Sequence, residues 1–289
     1  MCNLQEKAML VSISISQWTA RKKDKEANRT VSDTYGNNEK NGHFSKDLIG
    51  RTSLKDIQSI VSAARAYHQT NTLPWKDEGQ RILPAGKFFE YRQKITGFIA
   101  EFEIRVNQFI DNYDDLVNQA RIDLNGLFKE TDYPPKEKVR NLFGFKFSVN
   151  PLADPDDFRI SISHEDEQFI RNQVKQDYEE TIRAGMKDLF NRLYDVISDL
   201  NRKMGEEGRD GKSPIFRNSL IENVRELCDL LPGLNIAGDS NLDNLTEEIK
   251  RKICTLKPDN LREFKGMREQ TKEETDQLLN RIAGYMGSY

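Results

Sequence analysis

The sequence predicts a mainly α protein: an elongated antiparallel helical hairpin carrying a small antiparallel β-element, followed by a C-terminal helical cluster. Three observations predict it. Apolar residues recur at helical spacing over two long stretches, period-two alternation is confined to three short segments, and charged residues reach 31 % against 36 % hydrophobic. That balance suits long, narrow helices with much surface per unit of core.

Taken in order, VSISIS places Val11, Ile13 and Ile15 on one face and Ser12, Ser14 and Ser16 on the other, the pattern of a half-buried strand near 10–16. The same grammar returns in FGFKFSV (Phe143, Phe145, Phe147, Val149) and in FRISIS (Phe158, Ile160, Ile162). These predict strands near 143–149 and 158–163, joined through NPLADPDD, whose prolines and aspartates suit a turn. The first strand is expected to join that hairpin. QWTARKKDKE, after the first strand, reads as the start of a helix following Trp18 and Thr19. The stretch 34–47 reads as a loop.

Ser53 as cap, then Leu54, Ile57, Ile60, Val61 and Ala64, predict a helix over 53–70. NTLPWKDEGQRILP ends it with two prolines. From Gly86 the series Phe88, Tyr91, Ile95, Phe98, Phe102, Val106, Phe109, Tyr113, Leu116, Ala120 steps by 3, 4, 3, 4, 4, 3, 4, 3 and 4. This is a heptad seam with one four-residue insertion, on a helix of ~50 Å. A second long helix starts at Ser163, with Glu165, Asp166 and Glu167 on the positive end of its dipole. The two long helices are expected to pack antiparallel. Ser213-Pro214 opens the next helix, Pro232-Gly233 stops it, and helices near 242–256 and 259–284 complete the chain. The expectation is a single elongated domain with sub-regions 1–83, 84–205 and 206–289.

Forty-four basic and forty-seven acidic residues leave a net charge of −3, so bulk electrostatics draw the chain neither to nucleic acid nor to anionic lipid. MCNLQEKAMLV has no signal-peptide apolar run and no stretch reaches membrane-span length. Three cysteines without a CxxC pair suit a reducing compartment, so a cytoplasmic location is expected, with Cys228 and Cys254 read as small hydrophobes.

Candidate chemistry is sparse. GEEGRDGKS, 205–213, fails as a phosphate loop: five residues before Gly211 stands Glu206, and a helix precedes it where a strand is required. His43, His68 and His164 are scattered and read as surface or capping residues. Asp154, Asp156 and Asp157 lack calcium-loop spacing and read as turn formers. No catalytic, cofactor-binding or metal-ligating residue is expected, and no cofactor. The candidate interaction residues are Trp18, Arg21, Lys22, Lys23, Lys25 and Trp75. The four cations stand where a helix dipole disfavours them, which hints at use on phosphate or an acidic partner; Asp24 and Glu26 dilute the patch. Trp18 reads as a core anchor, and Trp75, between two prolines, as either a core plug or a contact for another chain.

LVSISISQWTARKKDK, ARAYHQTNTLPW with GQRILPAGKFFEY, and FRNSLIENVRELCDLLPGLN together resemble an uncharacterised family, a domain of unknown function of bacteriophages and mobile elements. The resemblance implies a phage or plasmid setting, with AAA+ ATPase and von Willebrand-type proteins as neighbours, and brings no catalytic residue. Placed in a carrier bacterium's cytoplasm by that resemblance, the chain is expected, from its long apolar seam, its 31 % charge and its lack of an assembled catalytic motif, to be a non-enzymatic phage interaction or scaffold protein that self-associates or binds a host or phage protein, with no membrane role. The alternative is a nucleic-acid accessory protein using the segment 21–25.

Overall fold

Residues 4–36, 41–76, 79–154, 162–206 and 216–289 are described by the computed structural model. The alternation in AMLVSISIS produces β1 (Ala8–Ser16), an inner strand of a four-stranded sheet. Its neighbours are β5 (Arg81–Pro84) and β6 (Gly144–Pro151), and β4 (Leu73–Pro74) lies beyond β5. β5 runs antiparallel to β1, with Ala8 opposite Pro84 and Val11 opposite Arg81; β4 runs antiparallel to β5, with Leu73 opposite Ile82. β6 is the strand expected near 143–149, and it does neighbour β1. Of the strand expected near 158–163, residues 158–161 lie outside the described set, and Ile162 and Ser163 are not in a strand. β4 and β5 were not expected, because their prolines read as breakers. Pro74 and Pro84 each stand at the last position of a very short strand, where a missing donor interrupts little of the ladder.

The remainder is mainly helical, with eleven α-helices among the described residues. None of them is long and apolar enough to cross a membrane. Packing divides the chain into two compact units: one of residues 1–12, 69–89 and 149–289, the other of 13–68 and 90–148.

In the second unit the basic segment corrects the sequence reading. Arg21–Lys23 is a strand, β2, paired antiparallel with β3 (Ser45–Asp47) inside the stretch expected to be a loop. The helix begins only at α2 (Lys25–Tyr35), capped by Asp24, whose carboxylate accepts the N–H groups of Glu26 and Ala27, both at 3.1 Å. Gly36, with φ 64°, closes it in the left-handed conformation that glycine adopts without steric cost. A 3-10 turn (Arg51–Leu54) leads into α3 (Lys55–Thr70).

The expected continuous seam helix is interrupted once: α4 (Phe88–Asp111) and α5 (Tyr113–Leu124) flank Asn112, which has ψ 1°. The Asn112 side chain donates to the Gln108 carbonyl at 3.0 Å, the local competition that makes asparagine a poor interior helix residue. After it come α6 (Lys136–Arg140) and β6. The α4 seam meets a strand where a helical heptad partner was expected. Phe143, just before β6, packs on Phe109, and within the strand Phe145 packs on Phe102 and Phe147 on Tyr91, with ring centroids 5.6, 5.8 and 5.8 Å apart, so alternate residues climb the helix. Tyr67 of α3 covers Phe98 at 6.0 Å. His68, expected at the surface, is buried with Nδ1 2.5 Å from the Tyr91 hydroxyl.

The first unit is built on α7 (His164–Met204), whose cap Ser163 accepts the Asp166 N–H at 3.2 Å. Its antiparallel partner is α11 (Lys265–Met286): Asn201 bonds Thr275, while Phe190 packs against Tyr285 and Tyr289. α8 (Ser219–Leu234), α9 (Ser240–Lys252) and α10 (Pro258–Glu263) complete a core that holds Met186, Leu189, Leu193, Leu231 and Ile282. Cys228 is fully buried there, and burial pushes its thiol up to about 12. Residues 207–215, which hold most of the GEEGRDGKS segment, and Asp156 and Asp157 lie outside the described residues.

Candidate binding site

Alternation along the β2–β3 ribbon sends its charges to two faces. Lys22 and Lys46 are cross-strand partners on one face, Arg21 and Asp47 on the other. On the first face Lys46 is buried: its ammonium donates to Asp24 at 2.9 Å, Asp132 at 2.8 Å and the Leu127 carbonyl at 2.5 Å. Lys22 reaches the other Asp132 oxygen at 2.7 Å. Burial alone would depress Lys46, but the bonds from Asp132 and Asp24 outweigh it and raise its pKa. The bond from Lys46 holds Asp24 down at about 2. Burial works to raise Asp132, and the bonds from Lys22 and Lys46 overcome it, so that it too is lowered. Lys46, Asp24 and Asp132 are charged near neutrality, and with Lys22 the four groups satisfy one another. This cluster is a clamp that fixes the ribbon.

The opposite face opens on a cleft of about 380 Å³ lined by Trp18, Arg21, Asp47, Ile49, Arg51 and Leu54 among others. Asp47 accepts from Arg21 Nε at 2.8 Å and from Arg51 Nε at 2.5 Å, one on each carboxylate oxygen. These bonds, the Arg51 one first, lower its pKa. The arginine side chains remain 61 % and 80 % exposed, and their terminal Nη groups make no hydrogen bond among the described residues. Ala20, at φ 51°, turns the chain from β1 into β2 in a left-handed conformation, and its carbonyl is held by the Leu48 N–H at 2.7 Å. Trp18 is wedged against Phe109 and Tyr113, 6.3 and 5.9 Å away, as the anchor the sequence suggested.

Scans of the chain against protein-family models, curated proteins and solved structures find no match.

The six candidate residues are thus divided. Trp18 and Arg21 line the cleft, Lys22 serves the clamp behind it, and Lys23 and Lys25 are exposed in the same unit outside the cleft lining. Trp75 belongs to the other unit, where it packs on Tyr178 at 6.2 Å as a half-buried plug beside the core. Of the four cations proposed for phosphate or nucleic acid, two therefore hold internal carboxylates. Arg51, Asp47, Lys46 and Asp132 were missed. Arg51 carried no readable signal, because it precedes Ser53, the cap from which the sequence reading began the helix. Chemically the cleft offers fixed charge: the bonds from Arg51 and Arg21 keep Asp47 ionised.

Proposed function

We propose that this is a non-enzymatic interaction protein of a phage or mobile element, and that its cleft receives an acidic segment of a partner protein. One observation carries this reading: Asp47 draws the Nε–H groups of Arg21 and Arg51 to one carboxylate, while their Nη groups make no hydrogen bond among the described residues. Guanidinium forks are suited to carboxylate or phosphate recognition. Of the seam aromatics, Tyr91, Phe102 and Phe109 pack on Phe147, Phe145 and Phe143 of the same chain, which leaves less of the seam for a second copy. The test is affinity capture from the carrier bacterium with wild-type protein and with R21E/R51E. A partner enriched by the wild type and lost from the variant, with an acidic segment that binds in isolation, supports the reading. A partner retained equally by both removes the cleft from it.

A further inference from the structure

Resting on that reading, we infer that the anionic group taken by the cleft is the phosphoryl group of a phosphorylated serine or threonine in the partner. Asp47 uses one carboxylate oxygen on each arginine, so both guanidiniums meet at the same carboxylate. Their remaining donors lie in two separate forks. A planar carboxylate matches one fork bidentately, whereas a phosphoryl group offers three oxygens in tetrahedral directions and can accept from both.

The rest of the cleft fits a peptide better than a nucleotide. Residues 17–20 form no sheet, and the amides of Gln17 and Gln58 line the cleft as groups able to pair with an extended main chain. Ile49 and Leu54 supply a small apolar wall. The Trp18 ring is already committed to Phe109 and Tyr113 in tilted and edge-on contacts, so it is no free platform for a base.

The test uses the full chain, 15N-labelled, titrated with N-acetyl-O-phosphoserine N-methylamide, with its glutamate counterpart and with adenosine monophosphate. The Nε–H resonances of Arg21 and Arg51 are read. Saturable shifts at both arginines from the phosphoserine compound are expected, with affinity about tenfold weaker for glutamate. AMP should bind no tighter than phosphoserine. R21Q and R51Q, made separately at these exposed positions, should each weaken the phosphoserine response, and K23Q should not. Glutamate binding as well as phosphoserine overturns the phosphoryl assignment and leaves the acidic-partner reading standing. Shifts from neither compound remove both, and tighter binding of AMP overturns the peptide class.

Discussion

Lys22 and Lys46 stand directly opposite one another in the β2–β3 ribbon, and the single carboxylate of Asp132 bonds both, at 2.7 and 2.8 Å. Like charges facing across a ladder repel. Here the repulsion is cancelled by an acid more than eighty residues downstream of either lysine, and Asp24 adds a second bond to the one that is buried.

Removing the buried cation should therefore be costly. Lys46→Met strands Asp24 and Asp132 in a desolvated site and is expected to destabilise the protein by about 3–5 kcal/mol. Adding D24N should recover part of that loss, because the two sites are coupled. Urea unfolding of the single and double variants measures both effects; additive losses would show that the groups do not act together.

Acid should loosen the same clamp. Asp24 has a folded pKa of about 2, below its usual 3.8, so the stability it confers is complete above the unfolded value and is lost as pH falls from about 4 towards 2. Asp132 and Asp47 are lowered as well and act in the same direction. Denaturation midpoints across pH 6 to 2 should fall in that window for the wild type, and D24N should flatten the fall.

The α4 seam should be sensitive on the side that β6 covers. Phe102 is fully buried against Phe145, so Phe102→Ala should cost about 3–5 kcal/mol. Phe98, only half-buried against Tyr67, should cost clearly less when cut to alanine. Equal losses in thermal unfolding would mean that a further element covers Phe98.

In the other unit Gly185 lets β4 approach α7. A Cβ there would lie 3.4 Å from Leu73 Cδ1 and 3.8 Å from Ile236 Cδ1. Alanine should be tolerated, whereas Gly185→Val should cost about 1–3 kcal/mol through overpacking. Thermal unfolding of the two variants distinguishes a tight crossing from a loose one.

Cys228, in α8, and Cys254, in the turn after α9, should react unequally. Cys228 is fully buried, its thiol pushed up to about 12, while Cys254 is partly exposed and raised less. Alkylation at pH 8 followed by peptide mass spectrometry should modify Cys254 first. Faster modification of Cys228 would mean that the α8–α9 region opens in solution.

Local periodicity made much of the fold legible. The apolar spacing located α3 and α7 within a few residues, read α4 with α5 and α10 with α11 as single helices, and found the stripe of α8 but not its ends, since α8 begins at Ser219 and carries Pro232, the expected stop, inside it. Strict alternation located β1 and β6, because burial of one helical stripe or one strand face is written into consecutive residues. Trp18 could be read as an anchor for the same reason. The β2–β3 ribbon carried no such mark. Its residues are charged on both faces, and only pairing with a segment twenty-odd residues away makes RKK a strand in place of the expected helix start.

By itself, then, the amino-acid order determined which stretches are helical, where the two chief strands lie, and that the net charge of −3 leaves any anion affinity to a local patch. Tertiary structure alone decided that β6 covers the seam, that Lys22 turns inward to Asp132, and that Arg51 joins Arg21 over Asp47. The physical reason is that a hydrophobic stripe is a property of neighbours in the chain. A charge takes its role from whichever opposite charge the folded backbone brings within about 3 Å, and that partner can come from anywhere in the sequence.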